Sequence, residues 1–266
     1  MNIRDLFITY ADLSREDIVF ILCEVLSCQP SEILPQINLT PNQLKQFRSW
    51  AERLRDHEPP QYIIHKAWFY GLEFYVDQRV LIPRFDTECL LEALIKYLKG
   101  KEKILEIGIG SGAISITLKH LFPELNIICT DINPAAIEVA NINASKHKVQ
   151  IQIVQADLFP DTDALYDVIV SNPPYISPDE YDKLEPKVRD HEPRIALYAE
   201  SDGLEFYKRI LAKADMFLKK NSILAFEHGA FQQKALIGLT ENRGYEILQK
   251  GRDLANRDRF LILKKI

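Results

Sequence analysis

The chain has 266 residues, of which 47% are hydrophobic and 27% charged, and its formal net charge is -5. That composition supports a packed core and excludes extended disorder, and the missing surplus of Lys and Arg argues against a protein devoted to coating nucleic-acid backbone. No signal-like apolar start, no uncharged run of about 18 apolar residues, no C-x-x-C and no H-x-x-x-H occur, so we expect a cytoplasmic protein with reduced thiols, no membrane span and no metal.

In chain order, residues 1–66 read as helical. Ser14-Arg15-Glu16-Asp17 offers an N-cap and an acidic first turn leading into Ile18–Leu22. Thr40-Pro41-Asn42-Gln43 combines a cap, Pro at the first helical position and Gln three residues after the cap. That helix should run to about His57, where Glu58-Pro59-Pro60 stops it. Residues 1–75 hold 7 Lys and Arg against 10 Asp and Glu, which suits a protein-docking unit better than a nucleic-acid reader.

Residues 67–83 change to short β runs: Trp68–Tyr70, Leu72–Val76 and Val80–Ile82, broken at Gly71 and at Asp77-Gln78. They predict a hairpin that links two domains. From residue 84 to 266, strands near 104–107, 127–130, 151–155, 168–171 and 223–227 alternate with helices such as 113–121, 135–146 and 204–218. Strands at 245–249 and 259–263 follow with too short a connection for a crossover, so they should pair antiparallel. The expected fold is α/β, with a seven-stranded, mostly parallel sheet covered on both faces.

Strand residues Lys103–Ile107 run into Gly108-Ile109-Gly110-Ser111-Gly112 and a helix, which sets bare backbone against a ligand. Asp131 ends the second strand, where a carboxylate can accept both hydroxyls of a ribose. A nicotinamide cofactor fits both features. Glu106 tips the balance, because a carboxylate just before the glycines repels a pyrophosphate yet accepts hydrogen bonds from the amino group of S-adenosylmethionine. Asp157, after the third strand, would face the adenine amino group, or would serve only as a turn cap.

Asn172-Pro173-Pro174-Tyr175 follows the buried strand Tyr166–Ser171 and should lie at the same sheet edge as the glycine loop. An amide nitrogen is a weak nucleophile, since its lone pair is delocalised into the carbonyl. The Asn172 side-chain oxygen can accept one N–H and the Pro173 carbonyl the other, aiming the lone pair at an electrophilic methyl group. The Tyr175 ring offers a flat wall for a planar acceptor.

In order along nearly the whole chain, these residues resemble the release factor glutamine methyltransferases, the HemK or PrmC family. The resemblance rests on Leu81–Glu88, Glu106–Gly112, Asn172–Tyr175, Glu192-Pro193 through Ala196-Leu197, and Asp202-Gly203-Leu204 with Tyr207. Glu227-x-Gly229-x-x-Gln232 and Asp253-Leu254-Ala255 with Asp258-Arg259 complete it. It implies a Rossmann-like class I methyltransferase sheet with its last strand antiparallel, a small N-terminal helical domain over residues 1–66, a hairpin linker over 67–83 and a catalytic domain over 84–266. It also implies S-adenosylmethionine as cofactor, S-adenosylhomocysteine as product, and the glutamine of the Gly-Gly-Gln motif of class-1 peptide chain release factors as acceptor. The helical domain and hairpin would help grip the release factor.

By position, Glu106, Gly108, Ile109, Gly110, Ser111, Gly112, Asp131, Asp157, Leu158 and Asn172 would contact the cofactor. Asn172, Pro173, Pro174 and Tyr175 would hold the glutamine, with Asn172, Pro173 and Tyr175 catalytic. Phe85, Ile109, His228 and Asn256 depart from the residues usual in the family. A sister enzyme acting on a ribosomal-protein glutamine shares all of these features. A DNA adenine or RNA guanine methyltransferase shares the acceptor loop but calls for a basic recognition domain to hold a flipped base. A non-catalytic module would be expected to lose Asn172 or the glycines. The 27 residues from Ile176 to Asp202 are long for a loop and should shape the acceptor entrance.

Overall fold

The computed structural model describes all 266 residues. The chain opens with helices α1 (Ile3–Thr9), α2 (Arg15–Leu26), α3 (Pro41–Arg55) and α4 (Pro60–Ile64). The Ser14 hydroxyl accepts the Asp17 N–H at the start of α2, and Thr40 with Gln43 forms the expected reciprocal cap of α3. The proline pair that ends α3 also starts the next helix, because Pro60 at a first helical position gives up an N–H that has no intrahelical partner anyway. These helices close over an apolar core that includes Leu6, Ile21, Leu22, Phe47 and Ala51.

A two-stranded antiparallel hairpin follows, β1 (Ala67–Phe69) and β2 (Leu72–Phe74), turning at Tyr70-Gly71. The strand expected at Val80–Ile82 does not form. Pro83 keeps the preceding residue extended, but no strand lies alongside, and the Ile82 N–H donates instead to the Glu192 carboxylate at 3.2 Å.

Strand and helix then alternate: α5 (Phe85–Ile95), β3 (Lys103–Ile107), α6 (Ala113–Leu121), β4 (Asn126–Asp131), α7 (Pro134–Lys146), β5 (Gln152–Gln155) and β6 (Tyr166–Ser171). The short helices α8 (Pro178–Tyr181) and α9 (Pro186–Arg189) interrupt the long loop, then come α10 (Glu205–Phe217), β7 (Leu218–Glu227), α11 (Gln233–Thr240), β8 (Tyr245–Arg252) and β9 (Asp258–Lys265). The seven strands order as β5-β4-β3-β6-β7-β9-β8, and only β9 runs antiparallel to its neighbours.

Alternation along each strand divides the core between two faces. Ile104, Val168 and Ala225 pack with Leu91 and Ile116, whereas Leu105, Ile169 and Leu224 pack with Ile210 and Leu211. The chain leaves β3 toward β4 and β5, then returns to the other side of β3 as β6. Such a reversal opens a crevice outside the carboxyl ends of the two strands.

The chain forms two compact units: Met1–Lys66 with Glu185–His191, and Ala67–Leu184 with Glu192–Ile266. The hairpin therefore packs with the sheet, and a seven-residue stretch of the long loop packs with the N-terminal helices. Within that first unit, the His191 ring Nε2 donates to the Asp56 carbonyl at 2.7 Å. The rest of the loop is tied at its base, where the Ile176 N–H donates to Leu197 and the Ala199 N–H to Ile176, each at 2.9 Å.

Candidate active site

Register brings the two predicted loops together. Ile107, at the end of β3, pairs with both Thr130 of β4 and Ser171 of β6. The residues that follow these strands therefore emerge side by side at one sheet edge. There a cavity of about 340 Å³ is lined by Glu106, Gly108, Ile109, Gly110, Ser111, Asp131, Asp157, Leu158, Asn172, Pro173 and Pro174, among others. Of the residues expected in the site, Gly112 and Tyr175 do not line it. Gly112 lies beneath, as the left-handed residue that opens α6.

Gly110 shows why the loop is bare. Its φ is 52°, and a Cβ built there would meet no atom within 4 Å, so the space above the backbone is open to a ligand. The loop is tied from below: Gly108 and Ile109 N–H groups donate to Thr130 O, and Gly110 N–H donates to the Asp131 carboxylate at 3.0 Å. Asn143 of α7, which sequence reasoning passed over, donates to the Ser111 carbonyl and exchanges hydrogen bonds with the backbone of Tyr75. Its signal was one polar residue on the buried stripe of a helix.

Glu106 is 2% exposed, and Ser115 of α6 holds it, donating its backbone N–H at 3.0 Å and its hydroxyl. Burial pushes its carboxyl up to about 8, with the Asp131 charge adding to the shift. Asp131 is also raised by burial, opposed by backbone N–H groups of Asn133 and Gly110. A buried carboxyl lacking a cation beside an apolar cavity suits a ligand that brings an ammonium group. Arg79, Arg84 and Arg209 also line the cavity, but Arg79 is engaged by Asp77 and Glu138, Arg84 by Glu192, and Arg209 by Asp157. That balance fits the amino acid and nucleoside portions of S-adenosylmethionine and offers no surplus cation to a pyrophosphate.

Asp157 is half exposed and receives Arg209 Nη2 at 2.6 Å, so its carboxylate takes part in an ion pair as well as in the wall. Leu158 has a positive φ of 68°, and its carbonyl accepts the Thr130 hydroxyl at 2.6 Å.

The acceptor loop is held from behind. The Asn172 Nδ2 donates to the Thr87 hydroxyl at 3.1 Å, and that hydroxyl donates to the Glu227 carboxylate at 2.5 Å. The Tyr175 hydroxyl donates to the other Glu227 oxygen at 3.3 Å and accepts from Arg259 Nη1 at 3.4 Å. Arg259 in turn pairs with Asp253 at 2.9 Å and Asp86 at 3.3 Å. The Tyr175 carbonyl accepts Gln232 Nε2 at 2.8 Å. Thr87, Glu227, Gln232 and Arg259 were visible only as letters within longer motifs. A buried charge at a strand end was the one physical hint that Glu227 mattered.

The chain matches the family described as PrmC N-terminal domain over residues 7–64, and that described as Methyltransferase small domain over residues 84–185. It is 36% identical over 228 residues to the release factor glutamine methyltransferase of Clostridium acetobutylicum, covering 83% of this chain and 80% of that one. It is 42% identical over 218 residues to the protein of the same name from Fusobacterium nucleatum, covering 80% of this chain and 62% of that one. Among solved structures, a methyltransferase from Pyrococcus furiosus superposes with a TM-score of 0.55 at 18% identity, over 85% of this chain and 99% of its own, a likeness of fold alone.

Proposed function

Since this chain belongs to the release factor glutamine methyltransferase family, we propose that it methylates the side-chain amide nitrogen (N5) of the glutamine in the Gly-Gly-Gln motif of class-1 peptide chain release factors. One observation carries the reading: β3 and β6 are adjacent, parallel and in register, so Gly110 and Asn172 lie on one cavity wall.

S-adenosylmethionine supplies an electrophilic methyl carbon on a sulfonium. The protein must place an amide nitrogen in line with it, and placement is where an enzyme gains most with so reactive a partner. Glu106 would hold the cofactor's amino group, Asp131 its ribose hydroxyls, and the bare backbone of residues 108–111 would bear against its chain. Asn172 Oδ1 accepts one N–H of the glutamine amide and the Pro173 carbonyl accepts the other. Drawing on both N–H groups raises electron density on the nitrogen and fixes its plane against the cavity. After transfer the nitrogen carries a positive charge and sheds its proton to water, so no side chain need act as a strong base.

The acidic balance of residues 1–75 supports a protein acceptor over a nucleic acid. The test is mass spectrometry of an unmethylated release factor after incubation with enzyme and cofactor. One added methyl on the Gly-Gly-Gln glutamine is expected, and methylation elsewhere, or none, would overturn the proposal. Asn172→Ala should lower turnover by roughly 10²–10³, as loss of one preorganised hydrogen-bond partner does.

A further inference from the structure

We propose that Glu227 is a positioning residue that, acting through Thr87, keeps the oxygen of the Asn172 amide turned to the acceptor and its NH₂ turned away. The inference rests on the role proposed above for Asn172.

An asparagine side chain has two ends of nearly equal shape and opposite hydrogen-bonding sense. Only the oxygen can accept an N–H of the substrate amide, so a reversed Asn172 would set donor against donor. Asn172 itself holds no information about which way it points. Thr87 supplies it. A threonine hydroxyl has one proton, and here that proton goes to Glu227 Oε2 at 2.5 Å. The Thr87 oxygen is left with lone pairs alone, so its remaining neighbour, Asn172, must present Nδ2 at 3.1 Å. The amide oxygen is then the end available at the cavity.

Direction in this chain is set by whether Glu227 is ionised. A protonated Glu227 can donate to Thr87, freeing the Thr87 proton to donate to Asn172 and favouring the reversed amide. Several groups face the carboxylate. Thr87 and Asp86 come from α5, Arg259 from β9, and Tyr175 from the acceptor loop, while the Tyr207 hydroxyl from α10 donates to the Glu227 backbone carbonyl. Burial opposes the charged form most strongly and Asp86 adds to it, whereas the donated Thr87 and Tyr175 hydroxyls and the Arg259 charge favour it. The balance lifts the carboxyl to about 7. The ionised form is the productive one, so turnover should fall as pH drops through about 7 and level off above it.

The experiment measures turnover of release-factor methylation against pH at saturating cofactor, in the full chain. Thr87→Val removes the hydroxyl at nearly constant shape. It should lower kcat on the order of 10²-fold, the cost of a misplaced reacting group. The loss should fall on kcat more than on the cofactor KM, because a reversed Asn172 amide faults the acceptor N–H that its oxygen must accept. Thr87→Ser restores a hydroxyl and should recover most of the loss. Glu227→Gln leaves no carboxyl to titrate, so whichever end of its amide faces Thr87, the acidic limb should vanish.

A Thr87→Val enzyme with wild-type turnover would overturn the proposal. So would a Thr87→Ser variant no better than valine, or an acidic limb that persists in Glu227→Gln. Asn172→Ala keeps the two ideas apart. If it abolishes turnover while Thr87→Val does not, the relay fails and the methyl-transfer role of Asn172 stands. If Asn172→Ala itself turns over normally, that role fails first.

Discussion

Glu106 and Glu227 are both buried carboxyls at strand ends, yet their surroundings set them to different work. Glu227 has an arginine nearby and two hydroxyl donors, and its charge is supported within the protein. Glu106 has the N–H and hydroxyl of Ser115 but no cation, so its ionised form waits on what a ligand brings. With its carboxyl lifted to about 8, Glu106 is mostly protonated at neutral pH in the free protein. Binding an ammonium group there should expel that proton. Calorimetry near pH 7, in buffers of different ionisation heat, should detect release of roughly one proton per cofactor bound. Glu106→Gln should abolish that release and weaken cofactor binding roughly 10- to 100-fold, the range of a charge-assisted hydrogen bond. Proton release unchanged in the variant would place its origin elsewhere.

Among the elements, those with a local signal were the ones legible in the chain. Thr40 with Gln43 announces α3 because both halves of its cap lie within four residues. The parallel strands read as short apolar runs because they are covered on both faces. Asn256 holds a φ of 61°, which a short polar side chain tolerates. Val80–Ile82 misled, since apolar β-branched residues signal a strand whether or not a neighbour exists to pair with it. The loop after β6 depends on a contact with no local signal. Gly203 has a φ of 74°, and a Cβ there would lie 2.4 Å from the Tyr175 carbonyl oxygen and 2.5 Å from Gln232 Nε2. Gly203→Ala should therefore cost about 2 kcal/mol or more in urea unfolding, combining left-handed strain with the clash. It should also lower turnover while leaving cofactor affinity near wild type, because none of the three residues lines the cavity.

At the scale of the whole molecule, charge argues for the kind of partner. A net charge of -5, with an acidic excess in residues 1–75, leaves little with which to neutralise phosphates. Methylation of a purified release factor should accordingly lack the steep salt dependence of a nucleic-acid binder, and excess duplex DNA or RNA should not compete. Robust labelling of bare nucleic acid, with none on release factor, would reverse that choice. The division into units carries a second lesson. Glu185–His191 lies within the loop that follows the acceptor tetrapeptide, yet it packs with the N-terminal helices. Linear order places that stretch inside the catalytic domain, and only packing reveals its allegiance.

The amino-acid sequence by itself determined the longer helices such as α2, α3, α6, α7 and α10, the seven strands of the main sheet, its antiparallel end and the two loops that meet at one edge. Helical and strand periods, caps and turn residues act over a few positions, and strand–helix alternation then restricts the topology. Only the tertiary structure decided that Thr87 donates its hydroxyl proton to Glu227, 140 residues away, behind Asn172, and that Glu192 takes the Ile82 N–H. Such contacts have no period. They arise where packing strips water from polar groups, and each stranded donor or acceptor must find its partner among whatever residues the fold has brought within reach.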